Sequence, residues 1–206
     1  MLLLHISQDG WLDALARIDT DLFIKINRDW ASSFFDTVLP IVRDQRTWYP
    51  LYALLLVYLV YKFRWKCLPF VLLAAATAGL GDQLSSGLLK ELIGRIRPCR
   101  AEELEGIMTL RVGYCPRSGS FTSSHAVNHF ALAAFFYFGL RNYLGKGSLL
   151  FFLWAAVICY AQVYVGVHYP GDVAGGSVLG ILLGIFMSRL FRYYFNFGSP
   201  LSARRT

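Results

Sequence analysis

The sequence predicts an all-α membrane protein: a polytopic bundle of about five transmembrane helices, preceded by amphipathic helices at the N terminus. Hydrophobic residues make up 56% of the 206-residue chain and charged residues only 16%, whereas soluble domains contain roughly 25% charged residues. Long apolar runs alternate with short loops that carry most of the basic residues, which is typical of membrane proteins. The length suits one compact bundle rather than two domains.

Residues 1–46 are predicted to form amphipathic helices that lie in the membrane interface or pack against the bundle. Apolar residues recur there near helical spacing, interrupted by acids and an arginine. These apolar residues are Trp11, Leu12, Leu15, Ile18, Leu22 and Phe23. A second apolar patch, at 34–42, is too short to cross a bilayer. The first residues lack the basic region of a signal peptide, so no cleavable leader is expected.

Five later apolar runs are each predicted to span the membrane. They cover residues 47–61, 67–90, 123–140, 148–167 and 173–194. Trp48 and Tyr49 flank the first run as interface anchors. Residues 47–197 are therefore predicted to form the transmembrane domain, and residues 198–206 a cytoplasmic tail.

The basic residues predict the orientation of this bundle. With five spans, three groups of basic residues fall on the same side, which should be cytoplasmic. They are Lys62, Arg64, Lys66, Arg141, Lys146, Arg189, Arg192, Arg204 and Arg205. The loop 98–121 and the segment 168–172 then share the outer face. The net charge of +7 follows this loop pattern rather than forming a stripe, so no nucleic acid partner is expected.

The first polar cluster on the outer side contains Lys90, Arg97 and Pro98. Lys90 and Arg97 are seven residues apart, which is two helical turns, so both are predicted to project from one helix face. Pro98 is predicted to end that helix. Two such cations bind an anion well, the arginine as a planar fork and the lysine as a point charge. The alternative is a pair of cations that snorkel at the membrane edge.

The second cluster opens the third apolar run with several hydroxyl residues and a histidine. Ser123 and Ser124 are ordinary helix N-caps, but a helix N terminus with free N–H groups is also a phosphate site. His125, in the first turn, is placed as a general acid for a leaving oxygen. His129 lies one turn further on. Because no acidic third ligand lies nearby, no metal is expected, and His129 is predicted to be a packing residue.

The third cluster is His168 with Asp172, between the last two apolar runs. Ionisable groups at the edge of a membrane are costly, so they are candidates for function. Asp172 can orient the ring of His168 and stabilise its cation, which leaves the other ring nitrogen as a nucleophile. The alternative is a histidine at headgroup level and an aspartate that caps the next helix.

Together the three clusters contain the groups needed for metal-free phosphoryl transfer through a phosphohistidine. His168 would attack phosphorus, Asp172 would orient it, and His125 would protonate the leaving oxygen. The phosphoryl oxygens would be held by Lys90, Arg97 and the amides of Ser123 and Ser124. No cofactor is required by this scheme.

The order and spacing of these clusters resemble the signature of the type 2 phosphatidic acid phosphatase superfamily of membrane lipid phosphatases. The first family motif, Lys-x6-Arg-Pro, matches in full at the first cluster. The second, Pro-Ser-Gly-His, matches at Ser123 and His125, with Thr122 and Ser124 in place of proline and glycine. Ser124 still offers its backbone N–H, so neither change removes the chemistry.

The third family motif, Ser-Arg-x5-His-x3-Asp, matches only at its histidine and aspartate. Ala161-Gln162 stands where the family has Ser-Arg. The family arginine binds phosphate, and the resemblance assigns this role to Gln162, which can donate a hydrogen bond but carries no charge. A charge-assisted hydrogen bond is roughly twice as strong as a neutral one. Weaker phosphate binding is therefore expected, unless Arg95 or Arg100 compensates.

The resemblance implies an enzyme that hydrolyses a lipid phosphate: phosphatidate, phosphatidylglycerophosphate, undecaprenyl diphosphate or a lipid A phosphate. Of these, a polyprenyl diphosphate or a phosphatidate-type lipid is favoured. The implied partners are this substrate and the surrounding lipids, in a bacterial inner membrane with the site on the periplasmic side. One alternative is a lipid-phosphate binding or transport protein with weakened catalysis. Another is a relative acting on soluble substrates, against which the apolar spans argue.

Two features lie beside these motifs. Cys99 and Cys115 both fall in the outer loop, where an oxidising exterior permits a disulfide that closes the loop over the site. Cys67 and Cys159 are predicted to be free packing residues. Asp82, in the second apolar run, is either a buried partner for a cation or a polar contact between helices.

Overall fold

The computed structural model describes residues 10–195 and 197, and within them every regular element is helical, which confirms the all-α class. The α-helices are α1 (Trp11–Ile24), α2 (Ser33–Val42), α3 (Tyr49–Phe63), α4 (Leu68–Asp82), α5 (Lys90–Ile93), α6 (Ser124–Leu144), α7 (Leu150–Tyr164) and α8 (Pro170–Tyr194). A π-helical segment, Gln83–Leu89, joins α4 to α5. The predicted tail, with its two arginines, and the start of the chain lie outside the described residues.

Three continuous helical stretches of the described chain are long and apolar enough to cross a membrane. They are Gln45–Ile93, Ser124–Tyr164 and Pro170–Tyr194. Residues with positive φ interrupt the first two stretches, Arg64 at 51° and Gly145 at 56°. These breaks separate α3 from α4 and α6 from α7, at the loops that the sequence predicts. A count of five crossings remains a prediction.

Helix α6 is held against α8 by glycines four residues apart. A Cβ added at Gly176 would lie 2.9 Å from the Ser123 carbonyl oxygen, and one added at Gly180 would lie 3.0 Å from the Ala131 nitrogen. Small residues allow helix backbones to approach this closely in membrane proteins. The N termini of the two helices therefore lie side by side, where the Ser123 N–H donates to the Asp172 carbonyl at 3.1 Å.

The opposite end of the bundle is filled by an aromatic cluster. Its buried members come from α3, α4, α6 and α8, and they include Phe63, Phe70, Phe135, Phe136 and Phe191. The cluster draws together the loops that follow α3 and α6 and the end of α8. Those of the basic residues predicted to share one side that the structure describes are in these segments, at the end of the bundle away from the three sequence motifs.

The N-terminal helices pack on the end of the bundle that carries the motifs. Asn27, just after α1, donates from Nδ2 to the carbonyls of Thr109 at 2.9 Å and Tyr164 at 2.8 Å. Its Oδ1 accepts from the Thr109 N–H at 2.8 Å. An apolar face of α1 stays open, with Trp11 70% exposed. Interfacial placement of this segment stays a prediction.

The helix that carries Lys90 ends earlier than the sequence analysis predicts. Gly94 has a left-handed backbone with φ of 60° and closes α5 after Ile93, because glycine adopts this conformation without steric cost. The prediction that Lys90 and Arg97 project from one helix face is therefore wrong. Arg97 lies in the non-helical segment that follows, and this segment is held by the Ser120 N–H, which donates to the Arg95 carbonyl at 2.8 Å.

A disulfide joins Cys99 to Cys115, with their Cα atoms 6.0 Å apart. It closes the outer part of the loop between α5 and α6. Cys67 and Cys159 are free and buried, as predicted.

Candidate active site

His168 lies in the turn between α7 and α8, and only 3% of its surface is exposed. Arg97 Nη1 lies 3.1 Å from Nε2 of this ring. Because a guanidinium only donates, Nε2 is the acceptor in this contact and the ring proton is assigned to Nδ1. Nε2 therefore carries the free lone pair of the ring, and it faces the guanidinium of Arg97.

Asp172 orients the ring together with a serine that the sequence analysis did not identify. The distance from His168 Nδ1 to Asp172 Oδ2 is 3.6 Å, longer than a normal hydrogen bond. The Ser120 hydroxyl donates to Oδ2 and lies 3.5 Å from Nδ1. Oδ2 also accepts from the Tyr169 N–H at 2.9 Å, so Asp172 caps α8 as well as supporting His168.

The environment of His168 favours the neutral ring. Burial lowers the pKa of His168 to about 4, and the charge of Arg97 acts in the same direction, while the carboxylate of Asp172 opposes it. The imidazole is thus unprotonated at Nε2 near pH 7, which is the form a nucleophile needs.

The second oxygen of Asp172 is bound to an arginine that also contacts α1. Arg95 Nη1 donates to Asp172 Oδ1 at 2.8 Å, and its Nη2 donates to Asp19 Oδ2 at 2.7 Å. Asp19 Oδ1 accepts from the Gly171 N–H at 2.6 Å. The guanidinium also stacks on the Tyr169 ring, 4.1 Å from its centroid. Asp19 was not predicted, since no sequence pattern links it to the motifs.

Lys90 reaches the start of α6. Its Nζ donates to Ser124 Oγ at 2.6 Å. The same oxygen lies 3.0 Å from Ser85 Oγ and 2.9 Å from Ser86 Oγ, so the lysine ends in a cluster of hydroxyl groups. Ser86 also donates to Asp82 Oδ1 at 3.1 Å. Asp82 is exposed and, in the described part of the chain, forms no ion pair with Lys90.

Arg97 is buried, and its described partners include no carboxylate. Nε donates to the Ser118 carbonyl at 2.8 Å, and Nη1 to the Val167 carbonyl at 2.9 Å. Burial lowers the pKa of Arg97 to about 10; the charge of Asp172 opposes this shift, and the charges of Arg100 and Arg43 add to it. The group keeps its charge near neutral pH, and no carboxylate in the described part of the chain pairs with it directly, so an anion that binds there would be stabilised.

His125 lies in the first turn of α6, as predicted, and lines two open clefts. One has a volume of about 700 Å³ and borders the loop after α2. The other, of about 200 Å³, lies between α3, α4 and α6. The His125 carbonyl accepts from His129 Nδ1 at 2.8 Å. His129 packs on Trp154, with ring centroids 4.9 Å apart, in keeping with its predicted packing role.

The two serines at the start of α6 differ in what they offer. The Ser123 N–H is bound to the Asp172 carbonyl, and the Ser123 hydroxyl accepts from the Ala126 N–H at 3.4 Å. The prediction that the Ser123 amide holds phosphate is therefore corrected: this amide joins α6 to α8. The Ser124 N–H is at the first helical position, which has no intrahelical acceptor.

Gln162 lies on α7 and is fully buried. Neither of its side-chain heteroatoms has a hydrogen-bond partner among the described residues. Of the two arginines named as possible replacements, Arg95 is bound to two aspartates, and Arg100 is exposed and donates to the Arg117 carbonyl at 3.2 Å. The cation of the third family motif is thus absent from α7.

The family model of the PAP2 superfamily matches residues 47–196 of this chain. The chain belongs to the PAP2 superfamily. It is 33% identical over 172 residues to lipid A 4'-phosphatase of Bacteroides thetaiotaomicron, an alignment that covers 82% of this chain and 75% of the relative. The family match, at residues 47–196, spans the segments that carry all three motifs.

Two crystal structures share the fold. The PAP2-type phosphatidylglycerolphosphate phosphatase of Bacillus subtilis superposes with a TM-score of 0.65 and 22% identity, covering 88% of each chain. LpxE of Aquifex aeolicus superposes with a TM-score of 0.59 and 25% identity, covering 84% of this chain and 95% of that one. The protein is a membrane lipid phosphatase of the PAP2 family.

Proposed function

We propose that this PAP2 phosphatase removes a phosphate from a lipid A-type glycolipid through a phosphohistidine formed on His168. The substrate class is supported by the relative that is 33% identical over 82% of the chain, whose name is lipid A 4'-phosphatase. The mechanism is supported by one observation above the others, the His168 ring held with Nε2 toward Arg97 and Nδ1 toward Ser120 and Asp172.

In the first step, the lone pair of His168 Nε2 attacks phosphorus. A P–N bond forms while the P–O bond to the lipid breaks, and His125 gives its proton to the leaving oxygen. The imidazolium that results keeps its proton on Nδ1, where Ser120 and the carboxylate of Asp172 stabilise it. In the second step, water loses a proton to His125 and attacks phosphorus. The P–N bond then breaks and inorganic phosphate leaves.

The oxygens of the phosphoryl group meet cations and a helix N terminus. Lys90 contacts the Ser124 hydroxyl at the start of α6, and Arg97 contacts His168. The Ser124 N–H, at the first helical position, has no intrahelical acceptor. Donors fixed in advance stabilise the charge that develops in the transition state without reorganisation.

The lipid body leaves on the side of His125, because the general acid must contact the leaving oxygen. The smaller cleft beside His125 extends between three helices. It is lined by Tyr52 of α3, Ala78 and Asp82 of α4, and Asn128 and Leu132 of α6, with others. This cleft is the proposed path by which the substrate reaches the site from the bilayer.

The proposed location is the bacterial inner membrane, with the active site on the periplasmic side. The basic loops and the motifs lie at opposite ends of the bundle, and loops rich in lysine and arginine stay in the cytoplasm. The disulfide between Cys99 and Cys115 lies at the end that carries the motifs, and disulfides persist in the oxidising periplasm.

The test is phosphate release by the purified protein with EDTA present. The substrates are lipid A, phosphatidate, phosphatidylglycerophosphate and undecaprenyl diphosphate, and the variants are His168→Ala and, as a matched control, His129→Gln. We expect fastest release from lipid A, loss of release in His168→Ala and retention in His129→Gln. Preference for another lipid would overturn the proposed substrate, and release that requires an added metal would overturn the mechanism.

A further inference from the structure

The third PAP2 motif of this chain lacks its phosphate-binding arginine, which leaves one cation of the site unaccounted for. Gln162 is neutral and buried at that position. Arg95 is neutralised by Asp19 and Asp172, and Arg100 is exposed. A replacement must therefore be a cation that reaches the site from another element and is not already bound to an acid.

Arg43, at the C-terminal end of α2, meets the first condition. It lines the larger cleft together with His125 and Tyr114. The guanidinium and His125, the proposed general acid, thus border the same open space, and the charge of Arg43 also acts on Arg97 of the first motif.

Arg43 also meets the second condition, because no acid in the described part of the chain forms an ion pair with it. Its Nε is buried without a hydrogen-bond acceptor in the described part of the chain. Asp44, the adjacent acid, caps the Arg46 N–H at 2.9 Å and forms no ion pair with Arg43 among the described residues. Burial lowers the pKa of Arg43, while the side chain of Tyr114 opposes this.

The other two arginines of the cleft differ from Arg43. Arg111 is bound to the carboxylate of Asp36 and stacks on Tyr164, with 4.6 Å from its guanidinium carbon to the ring centroid. Arg46 is exposed, so its charge is hydrated. A desolvated cation without a counter-ion is unfavourable unless an anion binds to it. Within this cleft, that description applies to Arg43.

We propose that Arg43 is a phosphate-binding residue that takes the place of the arginine missing from the third motif. This inference rests on the proposed function. Arg43 would donate to a phosphoryl oxygen from the side of His125, opposite the attack by His168. Because Arg43 precedes residue 47, where the family match begins, the site is completed by a segment that the family motifs do not include.

The test compares kcat/KM and competitive inhibition by inorganic phosphate in the full-length protein. Arg43→Ala is expected to lower kcat/KM and to weaken phosphate inhibition, each by about 10- to 100-fold, which is the effect of losing a hydrogen bond to a charged group. Arg43→Lys is expected to retain part of both. Arg46→Ala, from the same cleft, is the matched control and is expected to behave as wild type.

A second variant tests whether Arg43 supplies the positive charge that the third motif lacks at position 162. Adding Gln162→Arg to Arg43→Ala is expected to restore most of the lost kcat/KM and phosphate inhibition, and Gln162→Arg alone is the control for folding. The inference is overturned if Arg43→Ala leaves phosphate inhibition unchanged, whatever its thermal stability. It is also overturned if the double variant gains nothing while Gln162→Arg alone is active. Wild-type protein that releases no phosphate from any lipid would instead refute the proposed function.

Discussion

At the scale of single residues, the tautomer of His168 is set by its two neighbours. Arg97 donates toward Nε2 at 3.1 Å, and the acceptor oxygens of Ser120 and Asp172 lie on the side of Nδ1. A substrate phosphate that binds Arg97 would draw the guanidinium away from Nε2 and place phosphorus in front of the lone pair. Arg97 thus orients the His168 ring before substrate binds, and it would then bind the phosphate of the substrate.

The pKa of His168 gives a prediction that does not depend on the substrate. Because burial lowers this pKa to about 4 from the ordinary value of 6.5, the ring should stay neutral through pH 5. The unfolded chain binds the proton at a higher pH, so this group costs stability progressively as the pH falls from about 6.5 toward 4.

The measurement is ¹⁵N NMR of histidine-labelled protein in detergent, with His168→Gln used to assign the signal. We expect the midpoint of the His168 titration near pH 4. A midpoint near 6.5 would show that the ring is hydrated, and would contradict the buried geometry described here.

The sequence predicts which residues are candidates for the reaction, but not the contacts that they make. His168 and Asp172 are four residues apart, and this local spacing identifies them as a pair. Ser120 lies 48 residues before His168, and its place between the two depends on how the loop after α5 returns to α8. A pattern of neighbouring residues does not contain that information. Gln162, predicted to bind phosphate, is buried, and its amide has no hydrogen-bond partner among the residues that the structure describes.

At the scale of elements, the end of α5 shows that Gly94, rather than Pro98, ends the helix. The motif Arg97-Pro98 predicts that the helix ends at Pro98, since a residue before proline avoids the helical conformation. Gly94 ends it earlier, because it closes the helix in the left-handed conformation with φ of 60°. Arg97 therefore lies in an extended segment and contacts His168, while Lys90 reaches Ser124 at the start of α6.

Helix α1 contributes to the site through Asp19, which leads to a second prediction. Asp19→Asn weakens the ion pair with Arg95, and Arg95 then holds Asp172 less firmly. We expect kcat to fall several-fold with KM little changed, and the free energy of unfolding to drop by about 1 to 2 kcal/mol. Asp21→Asn, on the exposed side of the same helix, is the control. Equal effects of the two variants on kcat would contradict a positioning role for Asp19.

At the scale of the whole molecule, apolar runs predicted the helices because membrane spans need about 20 consecutive apolar residues. The predicted segments overlap α3, α4 and α6 to α8 closely. What the runs do not specify is which helices touch. The approach of α8 to α6 depends on glycines such as Gly176 and Gly180, whose missing side chains leave room for the α6 backbone. That approach brings Asp172 next to Ser123.

The orientation of the bundle in the membrane is a third prediction. Two cysteine variants test it. Glu103→Cys places a cysteine in the loop beside the motifs, and Lys146→Cys places one in the basic turn between α6 and α7. A membrane-impermeant maleimide should label the first variant in intact cells, or in spheroplasts where an outer membrane limits access, and the second only after the membrane is permeabilised. Background should be low, because Cys67 and Cys159 are buried and Cys99 is bonded to Cys115. Labelling of Lys146→Cys from outside would reverse the proposed orientation.

The phosphoryl group is proposed to pass through His168. This intermediate can be detected by rapid quenching of the enzyme with substrate at alkaline pH, where phosphohistidine survives, followed by peptide mass spectrometry. We expect one added phosphoryl group on the peptide that contains His168, and its absence in His168→Ala. A phosphoryl group on another residue, or full turnover by His168→Ala, would contradict the proposed mechanism.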